Sequence, residues 1–188
     1  MATAVALLLP AAAEAATVHV AAAPEARYRP YGYYSGSEAV FYQAGLGERN
    51  RVLVSYSPDA RIVTIEDPGA IIEAREGCTL ENEHKALCAA RPGSGQSFLQ
   101  HAEVDLGDLD DEVRTFRSTT YPVGGVAARG GPGDDLLDGG AGPDELNGGG
   151  GRDTVLGGAD SDVVTDGDRS GASGDLAPGP DVLDGGPG

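Results

Sequence analysis

Basic residues are nearly absent from the last third of the chain. Residues 130–188 hold 13 of the 30 acidic residues and only Arg152 and Arg169 as basic ones, so they carry −11 of the net charge of −17. Nucleic acids and anionic membranes would repel this segment, which excludes both as its partners and favours cations. Aromatic residues are few, and the segment also holds 19 of the 30 glycines, a composition equally typical of a flexible acidic tail.

The chain also lacks an apolar run long enough to cross a membrane as a helix, which takes about 20 residues. Residues 1–16 are apolar and rich in alanine, and Ala13-Glu14-Ala15 fits a cleavage site after Ala15, although a basic n-region is missing. Either the true start lies upstream, or the segment is only an alanine-rich leader. We expect a signal peptide over residues 1–15 and a secreted, extracellular protein.

Only two cysteines are present, Cys78 and Cys88, and the polar sequence TLENEHKAL between them suits a hairpin or a protruding loop. In an exported chain we expect them to form a disulfide that contributes roughly 2 to 3 kcal/mol. The alternatives are two free thiols or half of a metal site. The spacing is not CxxC, however, and His84 alone would not complete a zinc shell.

Recognisable catalytic motifs are missing as well. His84 is not part of an HExxH motif, no GxSxG elbow exists, and Ser94 lacks the bracketing glycines. His101 next to Glu103 is a weak candidate for an acid–base pair, and solvated polar residues at the end of a strand are the simpler interpretation. We expect no enzymatic activity.

Residues 38–117 contain short β-type runs at intervals of about ten residues, separated by turn-forming segments at 45–50, 57–59 and 67–69. Val52, Val54 and Tyr56 alternate with Leu53 and Ser55, which predicts a strand with one buried face. The pattern predicts a small all-β unit, either a sandwich or an N-terminal piece of a solenoid. We interpret residues 16–37 and 118–129 as linkers.

Four tyrosines cluster in the first of these linkers, within the sequence RYRPYGYY. They would form an adhesive or carbohydrate-stacking patch, or else pack on a neighbouring sheet from a flexible lead-in. The residues are Tyr28, Tyr31, Tyr33 and Tyr34.

From residue 130 the chain can be written in nines without gaps, as GGPGDDLLD, GGAGPDELN, GGGGRDTVL and GGADSDVVT. Positions one and two are glycine in all four copies, position six is aspartate and position eight is aliphatic. This is the GGxGxDxUx signature of calcium-binding β-helix repeats. Position six is held by Asp135, Asp144, Asp153 and Asp162, and position eight by Leu137, Leu146, Val155 and Val164.

The positions of glycine and aspartate in the nonapeptide have a physical explanation. Glycine adopts backbone conformations closed to residues with a Cβ, so main-chain carbonyls can turn toward an ion while the aspartate adds a hard anionic oxygen. Ca²⁺ prefers six to eight such oxygen ligands. The glycines expected to line the sites at positions two and four are Gly131, Gly133, Gly140, Gly142, Gly149 and Gly151.

We expect the last three residues of each copy to form a minimal strand and two copies to complete one turn of a flattened helix. Residues eighteen apart then stack, which places Asp135 over Asp153 and Asp144 over Asp162. Each stacked pair would enclose an ion, and two or three sites of weak affinity follow, on the order of 10⁻⁴ to 10⁻³ M.

Residues 130–188 resemble the RTX (haemolysin-type) family of secreted bacterial calcium-binding repeat proteins. The resemblance implies a parallel β-roll, a calcium-binding β-solenoid, with Ca²⁺ between successive turns. It also implies carboxylate ligands from the four position-six aspartates and carbonyl ligands from the turns at 130–134, 139–143, 148–152 and 157–161. The whole chain is then predicted as an all-β protein, with a strand-rich N-terminal unit before the roll.

The array departs from the pattern in three places. Asp160 replaces the glycine of position four, which puts that turn's backbone in doubt, although its carboxylate would itself reach an ion. After Thr165 the register breaks and returns in part with Asp181 at position six, and the last repeat is incomplete, so we expect a truncated chain. Upstream, LGDLDDEVR resembles a decayed copy with Leu109 where glycine is expected and Asp111 at position six.

Ordering the backbone costs about 1 to 2 kcal/mol per residue, and one small aliphatic side chain in nine residues cannot offset that. We therefore expect the array to be disordered without metal and to fold on binding calcium. The function predicted is that of a noncatalytic, secreted calcium-binding protein. The alternatives are an extracellular adhesion or matrix component, or a fragment of a larger RTX-type enzyme or toxin.

Overall fold

The structure is a computed structural model that describes residues 15–22, 38–59, 61–91, 99, 101–117, 125–167 and 181–187. This part of the chain is all-β, as predicted, with fifteen strands in two sheets. It contains no helix long and apolar enough to cross a membrane. Most of the predicted signal peptide and the four clustered tyrosines lie outside the described residues.

The strands alternate between the sheets over the C-terminal half of the chain. One sheet has the order β14-β12-β10-β8-β2-β1-β5 and the other the order β15-β13-β11-β9-β3-β4-β7-β6. The strands are β1 (Ala16–Ala22), β2 (Glu38–Gln43), β3 (Arg51–Tyr56), β4 (Ile62–Glu66), β5 (Ile72–Ala74), β6 (Cys78–Asn82), β7 (Lys85–Ala89), β8 (His101–Asp105), β9 (Glu112–Arg117), β10 (Val126–Pro132), β11 (Leu136–Asp138), β12 (Glu145–Gly150), β13 (Thr154–Leu156), β14 (Val163–Thr165) and β15 (Val182–Asp184).

Both sheets are mixed. The N-terminal strands pair mainly antiparallel, in β1–β2, β3–β4, β4–β7 and β6–β7. From β2 and β3 onward each new strand adds parallel to one already present, in the series β2–β8–β10–β12–β14 and β3–β9–β11–β13–β15. The chain therefore crosses to the opposite sheet between any two parallel neighbours.

The register of the repeat strands follows the predicted spacing. Leu137 lies opposite Val155 and Leu146 opposite Val164, eighteen residues apart in each case. The last parallel pair is different, because Val155 lies opposite Leu183 and the separation rises to twenty-eight residues. Ten additional residues are therefore accommodated between β14 and β15 without loss of the pairing.

A single apolar cluster lies between the sheets and extends from β1 to β13. Val52, Val54 and Tyr56 are buried as the alternation in β3 predicts, and Leu137 and Val155 of the repeats belong to the same cluster. The repeats and the N-terminal strands thus share both sheets and one core.

Two segments that the sequence suggests as linkers contain strands. In the first, the alternation of Ala16, Val18 and Val20 buries one face of β1 against the core, and β1 pairs with β2. In the second, β10 begins at Val126 and pairs with β8 and β12. Three of the seven residues of β1 are alanine, and β10 contains both alanine and glycine, which weakens the β signal in the sequence.

The predicted disulfide is confirmed. Cys78 of β6 and Cys88 of β7 are directly opposite in an antiparallel hairpin, with their Cα atoms 4.0 Å apart and their sulfur atoms bonded. The turn of this hairpin falls at residues 83–84, within the polar segment that suggested it.

Candidate metal centre

The position-eight side chains anchor the repeats to the core. Leu137, Leu146 and Val155 are fully buried. Val164 is half-buried, and Leu183 in the last strand is 47% exposed. Each buried aliphatic side chain packs one short strand against the core. The turn that precedes the strand is thereby held at the edge of the sheets.

Positions two and four of the turns have left-handed backbone conformations in every described copy. In the consensus copies these are glycines with φ between 81° and 152°. Asp160 adopts the same conformation with φ of 79°, and Leu109 in the decayed copy does so with φ of 77°. The doubt about the turn at Asp160 is resolved, since its backbone keeps the geometry of the other copies.

Close stacking of the turns is the second reason for glycine. A methyl group at Gly149 would lie 2.1 Å from the carbonyl oxygen of Gly131, and one at Gly151 would lie 2.0 Å from that of Gly133. The decayed copy stacks on the next turn in the same way, because a methyl group at Gly133 would lie 1.8 Å from the Leu109 carbonyl oxygen. The main-chain carbonyls of one turn therefore face the next turn directly.

The position-six aspartates form two columns. In each column the backbone N–H of one residue donates to Oδ1 of the aspartate in the next turn. The distance is 2.9 Å from Asp135 N to Asp153 Oδ1 and 2.9 Å from Asp144 N to Asp162 Oδ1. The first column contains Asp111, Asp135, Asp153 and Asp181, with distances of 2.8 Å for its two outer steps, and the second contains Asp144 and Asp162.

The other carboxylate oxygen has no hydrogen-bond partner at several of these positions. The Oδ2 atoms of Asp111, Asp135, Asp153 and Asp162 are buried and accept no hydrogen bond. A buried carboxylate oxygen without a donor is costly in free energy, and a bound cation removes that cost.

Oδ2 atoms of the position-six aspartates converge with main-chain carbonyls beside the position-one glycines. A methyl group at Gly130 would lie 2.2 Å from Asp135 Oδ2 and 2.4 Å from the Gly148 carbonyl oxygen. At Gly139 the corresponding distances are 2.4 Å to Asp144 Oδ2 and 2.7 Å to the Gly157 oxygen. Hard oxygens of both kinds are the ligands that Ca²⁺ prefers, so the residues present fit a calcium ion.

A family model described as the RTX calcium-binding nonapeptide repeat matches residues 129–164, in four copies. Residues 129–164 are RTX repeats. No curated protein and no solved structure matches the chain. The decayed copy around Asp111 and the copy around Asp181 lie outside the matched residues, and the structure places both in the first column of the RTX array.

Burial sets the electrostatics of the RTX array. It raises the pKa of Asp135 to about 7, opposed by the hydrogen bond from the Asp111 N–H and reinforced by the carboxylates of Asp153 and Asp111. Burial likewise raises the pKa of Asp111 to about 7 and raises the pKa values of Asp153 and Asp162. Ionised carboxylates that are stacked away from water are destabilised. They are relieved either by taking up a proton or by binding a cation.

One group of carboxylates is not evident from the repeat pattern. Asp153, Asp166 and Asp181 each offer an oxygen, and these oxygens lie within 4.8 Å of one another. Asp166 was missed because the register breaks after Thr165. The sequence does contain one indication of this residue: Asp166 follows Gly148 by eighteen residues, so it stands at position one of the next turn.

The first column ends in a turn without an aspartate. Asn50 takes the place of position six, and its N–H donates to Asp111 Oδ1 at 2.8 Å. Beside it, Arg49 forms a 2.9 Å ion pair with Asp110, so a guanidinium lies against this end of the acidic stack.

A buried polar network holds Asn50 from the other side. Its Nδ2 donates to Asp67 Oδ2 at 2.8 Å and to the hydroxyl of Tyr42 at 3.0 Å. That hydroxyl donates to Asp67 Oδ2 at 2.5 Å. The N-terminal strands thus fix the position of the first turn of the stack.

The two residues considered as an acid–base pair lie on the same strand. His101 Nε2 is 3.5 Å from Glu103 Oε1, and the histidine is buried at the start of β8. His84 lies elsewhere, in the β6–β7 turn, where its Nδ1 is 2.6 Å from the Ala70 carbonyl oxygen.

Proposed function

We propose that this protein is a secreted, noncatalytic calcium-binding protein whose RTX array folds into a β-roll around Ca²⁺. The observation that carries the proposal is the set of buried aspartate Oδ2 atoms without hydrogen-bond donors, which face main-chain carbonyls between successive turns. A divalent cation satisfies both kinds of oxygen and neutralises the carboxylates.

The columns define where the ions bind. The first column offers three intervals, between Asp111 and Asp135, Asp135 and Asp153, and Asp153 and Asp181. The second offers the interval between Asp144 and Asp162. In each interval the carboxylates come from position six. In two of the intervals a position-one carbonyl of the next turn, from Gly148 or Gly157, lies beside them.

Binding and folding are coupled in this proposal. The repeats contribute little apolar burial of their own, because at position eight only Leu137, Leu146 and Val155 are fully buried, while Val164 is half-buried. Without a cation the columns hold carboxyl groups close together in a poorly solvated site, where their ionised forms are destabilised. Calcium supplies the free energy that the small core lacks, so the array adopts the β-roll when the ion binds. The eighteen-residue register and the alternation of strands between two sheets support that geometry.

Export is the second part of the proposal. Calcium is scarce inside cells and abundant outside them, so an array of modest affinity folds after secretion. The Cys78–Cys88 disulfide suits an oxidising compartment.

Isothermal titration of the full chain with Ca²⁺ tests the proposal, with Mg²⁺ as the competing ion. The variant Asp144→Asn plus Asp153→Asn removes one charge from each column and retains side-chain size. Its matched control, Asp138→Asn plus Glu145→Gln, removes the same charge from array strands outside the columns. We expect wild type and the control to bind Ca²⁺ and the column variant to lose most of the binding. Equal binding of Mg²⁺, or equal loss in both variants, would refute the proposal.

A further inference from the structure

One position-one residue of the array is an aspartate instead of a glycine. Strands β12 and β14 pair with Asn147 opposite Thr165, so the next residues along, Gly148 and Asp166, occupy equivalent places in adjacent turns. In the turn before, the Gly148 carbonyl oxygen already faces the space beside Gly130. Asp166 therefore adds a carboxylate at a level of the stack where the other turns offer only backbone.

A buried oxygen without a partner points to the same place. Asp153 is fully buried, and its Oδ2 accepts no hydrogen bond. A methyl group at Gly148 would lie 2.5 Å from this oxygen, so Oδ2 lies on the side of the position-one column that Asp166 continues.

Asp181 completes the group from the following turn. Its Oδ1 accepts the Asp153 N–H at 2.8 Å, which holds the two residues in register despite the ten additional residues before Asp181. One oxygen from each of Asp153, Asp166 and Asp181 lies within 4.8 Å of the other two. Three oxygens at this separation can bind a single ion with the bond lengths of Ca²⁺, about 2.3 to 2.6 Å.

We propose that Asp153, Asp166 and Asp181 form a three-carboxylate calcium site that binds Ca²⁺ more tightly than the other intervals of the array. The inference rests on the proposed function, because it assigns one interval of the same array a different ligand set. The other intervals offer two position-six carboxylates and main-chain carbonyls. Affinity in calcium sites rises with the number of charged ligands, so this site fills first.

The site also has a structural consequence. Asp166 precedes and Asp181 follows the segment 168–180, which interrupts the repeat register. An ion shared by both residues joins the last strand, β15, to the turns that match the RTX repeat.

Calcium titration of the full chain by isothermal calorimetry tests the assignment, with Asp166→Asn compared against Asp138→Asn. Both variants lose one negative charge from the array, and Asp138 lies in β11 outside the three-carboxylate group. We expect wild type and Asp138→Asn to show a class of tighter sites, and Asp166→Asn to lose about tenfold or more in affinity for that class alone. Asp166→Gly, which restores the residue of the other copies, should give the same loss.

The outcomes separate the two proposals. If wild type binds no Ca²⁺, the proposed function fails and this inference fails with it. If wild type binds Ca²⁺ and both Asp166 variants titrate like Asp138→Asn, the three-carboxylate site is overturned while the proposed function stands. The far-UV circular dichroism of each variant at saturating Ca²⁺ verifies that the array has folded, which is expected because Asp166 is exposed.

Discussion

The backbone N–H of Asp135 donates to the carboxylate of Asp153, eighteen residues later, at 2.9 Å. A main-chain hydrogen bond joins the same two turns, because the Asp135 carbonyl accepts from the N–H of Thr154 at 2.8 Å. One carboxylate oxygen of each aspartate is thereby used to hold adjacent turns together. The other is left facing the space between the turns, where it lacks a donor.

Protons should compete with calcium at these sites. Burial raises the pKa of Asp111 and Asp135 to about 7, well above the usual value near 3.9. A raised pKa in the folded state favours the metal-free fold at low pH, and that stabilisation is lost as the pH rises from about 4 through about 7. Ca²⁺ requires the ionised form, so its affinity should fall between pH 8 and pH 5.5. Calcium titrations at these two pH values measure the change in affinity. Equal affinities would contradict the proposal that burial raises the pKa values of the ligand carboxyls.

Glycine at position two should be required for stacking. In Gly149→Ala the new methyl group would meet the Gly131 carbonyl oxygen at 2.1 Å, on a backbone with φ of 109°. We expect a loss of roughly 2 kcal/mol or more, seen as a higher Ca²⁺ midpoint in far-UV circular dichroism. The control is Gly185→Ala, whose methyl group would have no atom within 4 Å. Equal midpoints for the two variants would exclude the stacking constraint.

Asp160 should carry backbone strain. It is exposed and has φ of 79°, a conformation that costs residues with a Cβ about 1 kcal/mol. Asp160→Gly should lower the Ca²⁺ midpoint, and Asp160→Ala should raise it, because alanine tolerates this conformation less well than aspartate. If Asp160→Gly instead binds Ca²⁺ more weakly than wild type, the carboxylate is a ligand and that role outweighs the strain.

The Cys78–Cys88 disulfide should stabilise the repeats as well as its own hairpin. Its reduction is expected to lower the free energy of unfolding by roughly 2 to 3 kcal/mol. Because both sheets and the core are continuous with the repeats, the loss should appear in one transition of the calcium-loaded chain. Urea unfolding with and without reductant measures it. Two separate transitions, of which only the first responds to reductant, would contradict the shared core.

Much of the array could be predicted from the sequence because its period fixes the geometry. The glycines, the position-six aspartates and the position-eight aliphatics repeat every nine residues, so the register of Leu137 with Val155 and the stacking of Asp135 on Asp153 follow directly. Asp166 could not be found in the same way. The insertion after it hides the register, and only the pairing of β12 with β14 restores it.

The connection between the two parts of the chain was harder to predict. Parallel pairing of β3 with β9 and of β2 with β8 joins residues about sixty positions apart, and no local pattern encodes such pairs. The network of Asn50, Tyr42 and Asp67 is hidden for the same reason, since it brings together residues from three separate turns and strands. Sequence periodicity reports which face of a strand is buried and not which strand lies beside it.

Amide hydrogen exchange on the full chain, with calcium and with a chelator, tests most directly whether Ca²⁺ holds the array folded. With calcium we expect strong protection at Leu137, Leu146 and Val155 and at Val54 and Ile65 of the N-terminal strands. With the chelator the three repeat amides should lose protection while Val54 and Ile65 keep theirs. Equal protection of the repeat amides in both conditions would show that the array folds without calcium and would contradict the account.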